Sequence, residues 1–175
     1  MKFKEVAQYF DAIKTTIALC AQEGFFGIFE TIITEMPSKL SSCTFWTLDD
    51  INNALNEAVT NGKLAMIKGM LSNEICKAVL DVKVIKKALI TATEMGYIDI
   101  TGELITNATS KELFNPADAE QVLKIAATNG QLELIETMMA NPDFWNRISL
   151  KGIQTAHDCS KNNDIKLILA ALLNQ

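Results

Sequence analysis

A tight turn that returns at a fixed interval limits a chain's fold more than composition does, and this chain has one. The stretch Ala126 to Met139, AATNGQLELIETMM, reads as helix, turn, helix. The same pattern occurs at Ile17 to Ile33, Ala54 to Leu71, Ala88 to Ile105 and Thr155 to Leu172. The turn residues are Gly24, Gly62, Gly96 and Gly130, with Asn163 in the same place in the last copy. The steps between them are 38, 34, 34 and 33 residues. Self-similarity at this period marks stacked helical repeats. Glycine supplies a left-handed turn at low steric cost, and asparagine is its usual substitute. Small residues precede each turn, as in Cys20-Ala21, Ala92-Thr93 and Ala126-Ala127. They let neighbouring helices approach closely. After the turn, apolar residues return at helical spacing, as in Leu132, Ile135, Met138 and Met139. The expected fold is all-α: one domain over 1–175, a solenoid of about five helix-turn-helix repeats near 3–36, 48–73, 75–107, 116–141 and 145–174.

Taken in order, residues 3–22 read as one long helix. Phe3, Val6, Phe10, Ile13, Ile17 and Cys20 share a face. This extended first helix is the kind of atypical end that solenoids carry. Its partner runs from Phe26 to Met36, with Pro37 just past it. Residues 37–47 form the longest connection. Thr47 is a helix cap, with Asp50 three residues on, for a helix from Leu48 to Thr60. Residues 74–94 read as helix for most of their length, with a break near Leu80-Asp81 as one alternative and a single helix as the other. Asn115-Pro116 is a cap followed by proline at the first helical position. Asn141-Pro142 ends the fourth hairpin. A short helix to about Lys161 and a last one from Asp164 to Leu173 complete the chain.

The period and the stretch Asn129 to Met139 resemble the ankyrin repeat. The resemblance extends over roughly residues 16–173. In Trp145 to Asp164, Asn146, Gly152, His157 and Asn163 match the ankyrin finger asparagine, finger glycine, T-P-L-H histidine and inter-helix glycine. No complete T-P-L-H occurs, and only the last copy keeps its histidine and a recognisable finger. The resemblance implies a pre-formed surface, made of the inter-repeat connections and the first helices, that binds a protein partner without catalysis. It implies that His157 ties neighbouring turns by hydrogen bonds. Small, diverged ankyrin-like proteins also occur among bacterial proteins delivered into host cells. A bacterial effector acting on a host protein is therefore one expectation.

Composition narrows the alternatives. A net charge of −5 leaves no basic stripe for nucleic acid. Lys83, Lys86 and Lys87 are the one tight basic cluster and read as a solvated helix face. Apolar residues make up 49% of the chain, which argues against disorder. No run of about 18 apolar residues is present to span a membrane, and the N-terminus lacks a signal-like apolar core. The four cysteines, at 20, 43, 76 and 159, have neither metal nor redox spacing. Free thiols point to a reducing, cytoplasmic compartment.

No catalytic, cofactor or metal site is expected. His157 and Cys159 diverge by about 200° around a helix, so they do not form a nucleophile pair. Glu133 and Glu136 share a helix face with no histidine or cysteine beside them. No phosphate-binding glycine loop and no nucleophile elbow occurs.

The expected partner-binding residues are Phe45, Trp46, Phe114, Trp145, Ile148, Leu150 and Ile153. The aromatics fall in the connections, where they either anchor a partner or pack beneath the loops as core. Ile148, Leu150 and Ile153 align with finger positions that the resemblance makes exposed, so apolar residues there imply a patch covered by a partner, by a dimer contact or by the preceding connection. A second expectation is self-assembly. The stretch Leu167 to Leu173, LILAALL, is very apolar for a terminal helix and reads as a homodimer seam through Leu169 and Leu172.

Overall fold

A computed structural model describes residues 3–39, 46–107 and 114–174. Every regular element among the described residues is a helix. The chain clusters into two compact units, Met1–Val84 and Ile85–Gln175.

In the first unit, α1 (Phe3–Glu23) packs on α2 (Phe26–Lys39) and on α3 (Leu48–Thr60). Ile13, Ile17, Cys20 and Ala21 form the buried stripe of α1. The matching stripe of α3 is Ile51, Ala54, Leu55, Ala58 and Val59. The small residues in these stripes permit the close approach. Helix α2 carries on past Pro37 to Lys39, contrary to the expected stop. Helix α4 (Leu64–Ser72) returns against α3 and α2, and α5 (Glu74–Val79) follows it. The break lies at Leu80-Asp81, and α6 (Val82–Glu94) begins just beyond. The boundary between the units falls inside α6.

The second unit contains α7 (Ile98–Thr106), α8 (Pro116–Thr128), α9 (Leu132–Met139), α10 (Pro142–Trp145), α11 (Leu150–Cys159) and α12 (Asn163–Leu173). Helix α9 packs on α7 and α8, and α11 packs on α8 and α12.

The repeat is visible in the helix bounds. Helices α3, α6, α8 and α11 begin at residues 48, 82, 116 and 150, 34 apart each time. The first three are each 13 residues long. The expected left-handed turns are present at Gly24, Gly62, Gly96 and Gly130, with φ of 86°, 67°, 74° and 71°. At Gly62 the turn is closed by Lys63 N–H donating to the Ala58 carbonyl and Gly62 N–H to that of Val59. Gly96 and Gly130 repeat that pair of bonds. This is the Schellman arrangement, which satisfies the last carbonyls of each helix.

Asn163 is different. No described non-glycine residue has positive φ, and Asn163 is the first residue of α12. The fifth turn is extended at Ser160 (ψ 139°), and Asn162 caps α12. Asn162 is also the register equivalent of Lys63 and Gln131. A methyl group on Gly24 would lie 3.3 Å from Lys63 Cδ, one on Gly96 3.4 Å from Gln131 Nε2, and one on Gly130 3.9 Å from Asn162 Cβ. The last return helix therefore enters two residues earlier than the Asn163 alignment gives.

A second recurring contact joins successive first helices. Lys14 Nζ reaches Asp50 Oδ2 at 3.9 Å. The Asn52 carbonyl oxygen accepts from Asp81 N–H at 3.0 Å. Lys86 Nζ pairs with Asp118 at 2.6 Å. Glu120 accepts from Ser149, from its N–H at 3.2 Å and its hydroxyl at 2.6 Å. In each case a side chain of one first helix reaches the N-terminal cap region of the next. Gln154, the register equivalent on α11, donates to Asp158 at 2.8 Å.

Candidate functional site

Several of the expected binding residues lie next in sequence to the caps that open the first helices. Thr47 and Asp50 form a reciprocal capping box, as do Asn115 and Asp118. The Ser149 hydroxyl accepts from Gly152 N–H at 3.1 Å. Each cap is followed by an apolar residue at the first helical position. These are Leu48, Pro116 and Leu150, with Val82 in the same place after Asp81, and all four are exposed. Leu150 stands out at 65% exposure. Of the four, only Leu150 was singled out from the sequence. The signal for the others was present in the dipeptides Thr47-Leu48, Asp81-Val82 and Asn115-Pro116, at the repeat step.

The remaining sequence-derived residues divide by burial. Phe45 lies outside the described residues. Phe114 is buried and stacks edge-on against Phe144, with centroids 6.2 Å apart. Arg147 donates to the Phe114 carbonyl and to that of Asp143, which fastens the connection over these rings. Ile148 and Ile153 are buried as well. These three side chains are core and present no surface. The finger alignment explains the difference. Gly152, expected as a finger glycine, is the third residue of α11, and the segment before it is the short helix α10 capped by Asn141. A helical connection turns its apolar residues inward. Trp46 and Trp145 are half-buried. The Trp46 indole N–H is enclosed, with no acceptor among the described residues.

Beside the Ser149 cap, α8 and α11 flank a groove of about 380 Å³ lined by Ala117, Glu120, Gln121, Lys124, Gly152 and Thr155. It lies on the first-helix face. Gly152 lets the two helices meet here, because a methyl group on it would fall 2.5 Å from Glu120 Cγ.

Burial, with Glu30 adding its charge, pushes the Cys76 thiol up to about 12. Burial also raises Cys20. Hydrogen bonds from His157 and Gln154 hold the Asp158 carboxyl below its usual range. His157 Nδ1 lies 3.1 Å from Asp158, its own neighbour on α11, so this contact is local and does not tie one turn to the next. Among the described residues no group of three His, Cys, Asp or Glu side chains is placed to hold a metal ion. No described helix is long and apolar enough to cross a membrane. No family model, curated protein or solved structure matches the chain.

Proposed function

We propose that the chain is a non-catalytic protein-binding module, an ankyrin-like solenoid of about five hairpins acting in a reducing compartment. Its binding surface is the cap edge and the first-helix face. The observation that carries this reading is the exposed apolar residue that opens four successive first helices, Leu48, Val82, Pro116 and Leu150, at a 34-residue step. A surface side chain that recurs with the repeat gives each unit two anchors, Leu48 and Val82 in the first and Pro116 and Leu150 in the second. Exposed apolar side chains set among polar caps are the composition of a docking surface. The ankyrin-like reading draws support from the constant step, the repeated glycine turn and the recurring cap contact between first helices. An effector role on a host protein follows from the resemblance alone.

The test is affinity capture from lysate with wild type beside a Leu48→Ser/Leu150→Ser variant shown to be folded by circular dichroism. A partner retained by wild type and lost by the folded variant is the expected outcome. A partner held equally by both sinks the cap-edge reading.

Self-assembly through α12 has one observation in its favour, the 73% exposure of Leu167. Leu169, expected in the seam, is fully buried and belongs to the core.

A further inference from the structure

The groove between α8 and α11, both in the second unit, carries a charge that its own helices leave unused. At about 380 Å³ it falls within the ~300–1,000 Å³ of clefts that receive ligands. Its lining combines two small residues, Ala117 and Gly152, with Glu120, Gln121, Lys124 and Thr155. A glutamate four residues before a lysine ordinarily pairs with it along a helix. Here Glu120 turns to Ser149 instead. The Ser149 N–H and hydroxyl both donate to one oxygen of its carboxylate, at 3.2 and 2.6 Å. Lys124 is exposed and has no ion pair among the described residues.

The surroundings do not supply the missing partner. Lys151, next to Gly152 on α11, is a second exposed lysine without an ion pair among the described residues. Asp158, three residues past Thr155, is held by Gln154 at 2.8 Å and His157 at 3.1 Å. Nor does the repeat call for a lysine at this place. At the register of Lys124, α3 has Asn56, α6 has Ile90 and α11 has Asp158. Pro116 and Leu150, both exposed, open α8 and α11 at the cap end of the groove. Ala117 and Lys124 are seven residues apart, which is ~10 Å along α8. An extended chain covers ~10 Å in about three residues.

We infer that this groove takes an extended segment of the partner protein in which an apolar residue and an aspartate or glutamate are separated by two others. The inference rests on the cap-edge reading, since Leu150 and Pro116 belong to both. The apolar side chain lies against Pro116 and Leu150, and the carboxylate reaches Lys124. A basic residue in its place would meet two ammonium groups and one carboxylate, of which one oxygen already serves two donors. Such a charge pair fixes the register of the bound segment and excludes wrong partners more than it adds raw affinity.

Selection of a random heptapeptide library, displayed on phage, against the immobilised full chain tests it. Enriched peptides are expected to share the apolar and acidic residues at that spacing. One of them, labelled for fluorescence anisotropy, should bind a Lys124→Glu variant ~10-fold or more weakly than wild type. Exchanging the acidic residue of the peptide for lysine should restore binding to that variant. Lys124 is exposed, so the variant should stay folded, which circular dichroism checks. Lys124→Gln is the milder second variant and is expected to weaken binding in the same direction. Leu150→Ser separates this inference from the reading beneath it. Binding lost on Leu150→Ser and kept by both Lys124 variants overturns the groove and leaves the cap edge standing. Binding lost on the Lys124 variants alone supports the groove and sinks the cap edge. No enrichment at all, or enrichment without an acidic residue, would also overturn the inference.

Discussion

Gly69 and Gly102 sit inside equivalent return helices, yet substitution by alanine should act in opposite directions. A methyl group on Gly102 would lie 3.5 Å from Thr137 Cγ2, an ordinary contact. The helix then gains up to ~1 kcal/mol of propensity, so Gly102→Ala should stabilise by that order. A methyl group on Gly69 would lie 2.4 Å from the Phe26 ring, which stacks on Phe29. Overpacking costs about 1–3 kcal/mol, which outweighs the propensity gain, so Gly69→Ala should destabilise. Urea denaturation of the two variants beside wild type checks both signs, and a shared sign would contradict the packing described. The cysteines offer a second residue-level check. With its thiol raised to about 12, Cys76 holds almost no thiolate at mildly alkaline pH. In a Cys43→Ser background, iodoacetamide should modify the half-buried Cys159 first, and Cys20 and Cys76 only as fast as the fold opens. Rapid native-state labelling of Cys76 would contradict its burial.

At the scale of the element, the helix starts were the most legible feature of the sequence, because a cap is a local device. Thr47 and Asn115 are readable as caps without tertiary information, and they form capping boxes with Asp50 and Asp118. The break at Leu80-Asp81 was visible as one of two alternatives. The fifth turn was not legible. Asn163 fits a glycine position by count, but the segment Ser160 to Asn162 turns by extended backbone and hydroxyl bonding instead. The finger at Phe144 to Gly152 misled for a related reason: Asn141 caps a helix there that a spacing match does not reveal. The contact between first helices gives this scale its prediction. Asp118 completes a capping box and also receives Lys86, whereas Lys86 contributes only a part-exposed ion pair. Asp118→Ala should cost about 1–2 kcal/mol and Lys86→Ala under about 1 kcal/mol. Chemical denaturation of the single variants tests the order, and a larger loss from Lys86→Ala would show that the link between helices outweighs the cap.

At the scale of the whole molecule, the period of the sequence matched the period of the helices, and the binding residues were the part least well read. Phe114 and Ile148 lie in connections, which the ankyrin resemblance makes an edge, and Ile153 lies in α11. Apolar side chains in a helical connection have a core within reach and enter it, as the Phe114–Phe144 pair does. Leu48, Val82 and Pro116 were overlooked because single exposed apolar residues are ordinary; only their recurrence after a cap gives them meaning. Continuity of the array is the claim on which the rest depends. In a repeat array each hairpin is stabilised by its neighbours, so unfolding couples along the chain. The two tryptophans report separately, Trp46 from the first compact unit and Trp145 from the second. The most direct measurement is equilibrium unfolding of Trp46→Phe and Trp145→Phe variants, followed by fluorescence and by far-ultraviolet circular dichroism on the same samples. One array requires that the two signals superimpose in both variants. Fluorescence that melts ahead of the helix signal in one variant, and behind it in the other, would instead show two independent units and contradict the solenoid.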